Sequence, residues 1–151
     1  MRGRTRLALG LSALLFAGGA WADSPEGYWL TEEGNAQVEI RACGDAYCGY
    51  TVWLRDPVDD DGEPLRDTNN PEPDQRDQEL IGLKILWDMT PASRDNRWDG
   101  GRVYDPANGN TYRARMDLVD GDELRLRGYV GSPLFGRTST WTREEARREL
   151  K

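Results

Sequence analysis

Histidine is absent from all 151 residues. That removes Ser-His and Cys-His nucleophile schemes and imidazole-based zinc sites together. Cysteine is nearly absent: Cys43 and Cys48 are the only two. They are too few to be the soft ligands of a metal site and lack the C-x-x-C spacing of a redox pair. The apolar run Leu7 to Ala17 is too short to span a bilayer comfortably. No basic footprint appears along the chain, which argues against nucleic-acid binding. Carboxylates are so numerous that no pair stands out for glycoside chemistry, and no enzymatic activity is read from the sequence.

What is present begins with Arg2, Arg4 and Arg6, the apolar run, and Ala20-Trp21-Ala22, which fits an A-x-A cleavage site. This predicts a secretory signal peptide over residues 1–22 and one compact domain over residues 23–151. No cysteine follows the cleavage point, so neither a lipid attachment nor a stable membrane anchor is expected. Export to the periplasm or beyond places the two cysteines in an oxidising compartment. Four residues separate them, with strand-like sequence on both sides. A hairpin can bring such a pair within disulfide range, and a Cys43–Cys48 disulfide is predicted. It would stabilise by roughly 2 kcal/mol.

Charge is uneven. Without the three leader arginines the chain carries 17 basic and 27 acidic residues, a net of −10. The segment 56–79 holds ten of those acids against Arg66 and Arg76, so it alone contributes −8. At 24 residues it exceeds the usual connection length, and the expectation is a solvated, mobile lid. Within it, Asp59, Asp61 and Gly62 resemble part of a calcium loop, but Pro57 and Thr68 stand where that loop opens and closes. A looser calcium site from Asp59, Asp61, Glu63 and Asp67 is the alternative.

Eight strands are predicted: Gly27 to Thr31, Ala36 to Cys43, Cys48 to Arg55, Leu80 to Trp87, Trp98 to Asp105, Thr111 to Val119, Glu123 to Val130 and Arg137 to Arg143. Val38, Ile40 and Ala42 share one face of the second; Tyr50, Val52 and Leu54 share one face of the third. Asn108-Gly109 and Asp120-Gly121 are hairpin turns. The tail from Glu144 to Lys151 is expected to be a short helix or a frayed end. Short hairpins favour an all-β, antiparallel up-and-down meander, closed as an eight-stranded barrel, over a two-sheet sandwich. In the last strand Arg137, Ser139, Trp141 and Arg143 share a face. Such a face needs a partner that tolerates both charge and ring, and Trp29 in the first strand supplies one.

Strand parity then places Trp29, Arg143 and the cysteine hairpin at the base, and the acidic loop with the turns 106–110 and 131–136 at the top. The top collects Trp53, Tyr104, Asp105, Tyr112, Phe135 and Arg137. Aromatic walls with an arginine suit a small anionic or amphipathic ligand. The competing reading has the aromatics packing the turn and Arg137 pairing with the acidic loop.

Gly27-x-Trp29 with Arg143 resembles the signature of lipocalins and related calycin barrels, where the arginine packs over the tryptophan and closes the floor. The chain also resembles a secreted bacterial family, domain of unknown function 2147. The matching stretches are Gly27-x-Trp29, Val38-Glu39-Ile40, Cys43 with Cys48-Gly49, Asp67-x-x-Asn70-Pro71, Tyr104-Asp105-Pro106 with Gly109-x-x-Tyr112, Arg127-Gly128-Tyr129, Gly131-x-Pro133-Leu134-Phe135-Gly136-Arg137 and Trp141-Thr142-Arg143. The resemblance implies a lipocalin-like barrel in an exported protein and brings no catalytic residue or cofactor. The resulting expectation is an exported, monomeric barrel without cofactor that binds a small hydrophobic or amphipathic molecule at its open end. The alternative is a structural or interaction module whose acidic loop engages a cationic partner or calcium.

Overall fold

The strands form where apolar and polar side chains alternate. In one of them Ala114, Met116 and Leu118 are buried while Arg113, Arg115 and Asp117 between them face outward. The computed structural model describes residues 24–151; the expected leader over residues 1–22 lies outside the described residues. The elements are β1 Gly27–Leu30, β2 Ala36–Cys43, β3 Ala46–Leu54, β4 Lys84–Pro91, β5 Arg97–Asp105, β6 Asn110–Leu118, β7 Glu123–Tyr129 and β8 Gly136–Glu144. Each strand pairs antiparallel with the next, and β1 pairs with β8, so the sheet closes into an eight-stranded up-and-down barrel. Closure removes both sheet edges.

The base is filled. Trp29, Ile40, Leu86, Met89, Trp98, Met116, Leu118 and Leu124 belong to one buried cluster. Tyr47 meets Trp98 edge to face with ring centroids 5.9 Å apart. Gly101 makes room for this packing, because a Cβ there would overlap the Met89 sulfur and the Trp87 carbonyl.

Arg143 shuts the floor. Its guanidinium carbon lies 4.3 Å from the Trp29 ring centroid. Its nitrogens donate to the carbonyls of Ser24 at 2.8 Å, Glu26 at 2.5 Å and Gly121. The Trp29 indole donates to the Pro25 carbonyl at 2.8 Å. One cation thus ties the segment before β1 to the β6–β7 turn. At the same end Cys43 and Cys48 form a disulfide with Cα atoms 5.8 Å apart.

Three expectations are corrected. The fourth strand is Lys84–Pro91 rather than Leu80 to Trp87. Residues 80–83 are apolar but turn: Leu80 donates to the Leu65 carbonyl, Gly82 donates to Thr51 and has φ 94°, and Thr51 donates back to Leu83. Continuous apolarity hides such a turn.

In β3 the residues Tyr50, Val52 and Leu54 do not share one face. Gln37 pairs with Trp53 but Val38 pairs with Thr51, which leaves Val52 as the extra residue of a bulge. Thr51 and Leu54 reach the barrel interior, and Trp53 turns outward.

The tail is neither helical nor frayed. It runs back over the outside of the barrel, where the buried Gln37 donates to Glu144 at 2.6 Å and to the Ala146 carbonyl at 2.9 Å. The Gln37 side-chain carbonyl accepts from Arg148 N–H at 2.9 Å. Arg148 pairs with Glu144 at 2.5 Å and lies over the Trp53 ring, whose indole donates to the Glu149 carbonyl. The Arg148 hydrogen bond, ahead of the opposing effect of burial and with help from Gln37, holds the Glu144 carboxyl below its ordinary value.

Two measurements follow. Arg143→Ala is expected to lower stability by roughly 1–3 kcal/mol, through lost cation–π contact and unpaired carbonyls, read as a lower urea midpoint. An unchanged midpoint contradicts the closing role. Thiol counting on unreduced, denatured protein should find no free thiol; two free thiols would reject the disulfide.

Candidate functional site

Interior side chains shrink toward the open end. Against the tryptophans, methionines and leucines of the base, the upper wall is built from Ala36, Val38, Thr51, Gly128, Gly136 and Ser139. The consequence is a cavity of about 790 Å³ that opens at the top. Apolar side chains of Leu54, Ile85, Val103, Leu126 and Trp141 line its walls. The Trp141 indole donates to the Ser139 hydroxyl at 3.0 Å, which satisfies the ring nitrogen within the wall.

Five of the six residues expected at a ligand site line this cavity: Tyr104, Asp105, Tyr112, Phe135 and Arg137. Trp53 does not, because the β3 bulge hands its ring to the tail. At the rim, Asp105 accepts from the Ala107 N–H at 2.9 Å and the Asn108 amide at 3.0 Å, so its carboxylate builds the β5–β6 turn. The Tyr112 hydroxyl accepts from Asn108 at 3.1 Å. Arg137 is exposed and lies 4.0 Å from Glu33 in the β1–β2 turn, rather than pairing with the acidic loop. The reading of strand faces already placed Val38, Leu54, Ser139 and Trp141; Thr51 and Leu126 were missed. Leu126 alternates visibly with Arg125 and Arg127, whereas Thr51 shares the interior with Leu54 only because of the bulge.

The acidic segment is an anchored flap. Val58 bridges Pro64, Arg66 bridges Glu79, and a 3₁₀ turn spans Pro73–Gln75. Asn69 donates to the carbonyls of Pro106 at 3.0 Å and Ala107 at 3.1 Å, stitching the flap to the β5–β6 turn. Gly109, at φ 73°, is required there, because a Cβ would overlap the Asn69 carbonyl. Leu80, Arg66 and Asn69 of the flap complete the cavity lining. The loop is solvated over most of its length, as expected, but it is not free: backbone pairing and these contacts hold it across the rim.

The pin of the flap is Asp67. It is fully buried, and its carboxylate accepts from the Tyr104 hydroxyl at 2.7 Å and the Asn70 amide at 2.7 Å. Asp59 caps its own turn instead, accepting from the N–H groups of Asp61 and Glu63 at 2.9 Å each. Asp59, Asp61, Glu63 and Asp67 are therefore not gathered. Among the described residues no group of three or more metal-ligating side chains comes together.

Burial, then the hydrogen bond and charge of Asp67, with Asp105 adding to them, push the Tyr104 phenol up to about 12. The folded state favours the neutral phenol. Its stabilising contribution is complete below the ordinary tyrosine value near 10 and is lost as pH rises through about 12. An alkaline absorbance titration should find the Tyr104 phenol still un-ionised near pH 11, and Tyr104→Phe should remove that protected group. The same variant leaves Asp67 short of a donor and should cost about 1–3 kcal/mol. A phenol count at that pH unaltered by the substitution would refute the assignment.

The barrel has a known counterpart in shape. No curated protein sequence matches the chain. The chain is similar in structure to protein HP1028 of the human pathogen Helicobacter pylori, described as belonging to the lipocalin family, with a TM-score of 0.70 and 22% identity over 80% of this chain and 82% of that one. At that identity the likeness concerns the fold, which is that of a lipocalin-like barrel. A family described as uncharacterized protein conserved in bacteria, domain of unknown function 2147, matches residues 27–143. Those residues run from the glycine that opens β1 to the arginine that closes the floor, and the chain belongs to that family.

Proposed function

We propose that this protein binds a small hydrophobic or amphipathic molecule in the cavity at the open end of the barrel. The observation that carries the reading is the contrast between a packed base and an upper chamber of about 790 Å³, walled by apolar side chains and rimmed by polar ones. That volume lies in the range of small-molecule sites. The apolar tail of an amphiphile would lie against Val38, Leu126 and Trp141, and its polar end would meet Tyr112, Asp105 and Arg137 at the rim. The fold of the Helicobacter pylori protein is compatible with such use.

The reading is of a binding protein rather than an enzyme. Tyr104 is shifted away from ionisation, the reverse of what a nucleophile or general base needs. Asp67 is fully committed to holding the flap. We further infer export, with residues 1–22 as a removable leader and residues 23–151 as one domain; the Cys43–Cys48 disulfide supports an oxidising compartment.

Native mass spectrometry of protein purified from its own compartment should show added mass from a retained small molecule. A polarity-sensitive naphthalene sulfonate dye should bind saturably, be displaced by a lysophospholipid, and bind roughly tenfold more weakly when Thr51→Phe fills the chamber. Dye uptake that does not saturate, or that Thr51→Phe leaves unaltered in a folded protein, would overturn the proposal.

A further inference from the structure

The outer surface of β5, β6 and β7 carries six arginines, namely Arg97, Arg102, Arg113, Arg115, Arg125 and Arg127. They are separated along each strand by residues that point inward, so no basic run appears in the sequence. Folding stacks them across strands. Arg102 stands directly opposite Arg113, and Arg115 opposite Arg127. Like charges in directly opposed positions disfavour the sheet.

The carboxylates of this face sit in its lower half. Asp117 takes Arg97 at 2.6 Å and lies 4.0 Å from Arg115, and Glu123 takes Arg125 at 3.0 Å. Among the described residues, Arg102, Arg113 and Arg127 have no carboxylate within ion-pair distance. These three lie in the upper half, one or two pleats below the cavity mouth.

Immediately above Arg127, the nearest of the three, is the β7–β8 turn, which holds the most exposed large apolar side chains among the described residues: Leu134 at 84%, Phe135 at 73% and Val130 at 67%. Arg127 fixes this turn against the arginine face, donating to the Pro133 carbonyl at 2.5 Å and to the Thr138 hydroxyl at 2.9 Å. Uncompensated cations and a protruding apolar tip are therefore one continuous surface. The acidic flap is joined to the β5–β6 turn and borders β4, so it flanks the Arg102 end of this surface, the end away from the β7–β8 turn.

We propose that this surface docks reversibly on an anionic lipid bilayer. Leu134 and Phe135 enter the headgroup boundary, and Arg102, Arg113 and Arg127 face lipid phosphates. A soluble polyanion would use the arginines but gives no reason for three exposed apolar side chains beside them. A bilayer uses both, since one apolar insertion combined with a basic patch is the combination that holds a peripheral protein. The geometry places the cavity mouth, bounded by Val130, Phe135 and Arg137, against the lipid surface. Docking does not depend on the cavity being occupied, and either proposal can fail alone.

The test is co-sedimentation of the chain with vesicles of phosphatidylglycerol and phosphatidylcholine, beside vesicles of phosphatidylcholine alone. Binding should be at least roughly tenfold stronger to the anionic vesicles and should weaken as salt is raised. Neither Leu134 nor the pair Arg102 and Arg113 lines the cavity. Leu134→Ser, and separately Arg102→Gln with Arg113→Gln, should each weaken vesicle binding roughly tenfold while leaving the melting temperature and dye uptake unaltered. Equal affinity for both vesicle types, absence of binding, or insensitivity to either variant overturns the proposal. So does binding to a polysulfated polysaccharide or DNA that matches vesicle binding and ignores Leu134→Ser, which would assign the face to a soluble polyanion.

Discussion

The barrel depends on one guanidinium. Arg143 lies on the inward face of the last strand, at the end where Trp29 of the first strand is fully buried. A cation facing a barrel interior is costly unless its donors are satisfied. Here they reach the carbonyls of Ser24, Glu26 and Gly121, and the indole face covers the planar side. Burial still pulls the guanidinium below its ordinary value, with Asp122 opposing. The contacts span more than a hundred residues of sequence, so they form only when β1 and β8 meet. A floor sealed in this way lets bulky side chains fill the lower barrel, and that filling confines open space to the other end.

At the open end the governing contact is Asp67 with Tyr104. A segment carrying net −8 has reason to stay extended, because its carboxylates repel. The structure resolves this by position. Most of the acids occupy exposed turn tips, where water screens them. The one carboxylate that is buried has two donors, and its phenol partner belongs to the barrel wall. The flap is thus attached through a neutral hydroxyl rather than a counter-charge. The attachment loses strength at strongly alkaline pH, where the phenol would ionise beside a carboxylate.

Much of this was legible in the sequence, for identifiable reasons. Alternation in β2, β6 and β8 and the Asn108-Gly109 and Asp120-Gly121 turns are local signals, and they yielded the meander. Trp29 and Arg143 were found because an arginine on an inward face demands a partner. What escaped depends on contacts between distant segments. The β3 bulge exists because Gln37 and Trp53 pair outside Val52 and are both covered by the tail. Without the tail, nothing in Tyr50 to Leu54 announces the change of face. The turn at residues 80–83 escaped because its hydrogen bonds go to Leu65 and Thr51, while its composition is that of a strand. The ordered flap escaped because Asp67 reads as one acid among ten.

Net charge misleads for a related reason. An average of the sequence describes an acidic protein with no basic region, yet pleating sorts alternate residues onto opposite sides of the sheet. Along β6 and β7 that sorting sends Ala114, Met116, Leu124 and Leu126 inward and collects Arg113, Arg115, Arg125 and Arg127 outward. The molecule therefore carries an acidic flap against β4 and the β5–β6 turn, and beside it an arginine face that ends in the apolar tip of the β7–β8 turn. Such a charge separation exerts a torque near any charged surface, within about a Debye length of ~10 Å. Orientation is then set before contact, with the flap held away and the β7–β8 turn leading. That turn also supplies Val130 and Phe135 to the cavity lining. The part of the barrel that first meets an anionic surface is thus the part that borders its opening, and the asymmetry of charge aligns the chamber at that end with the surface.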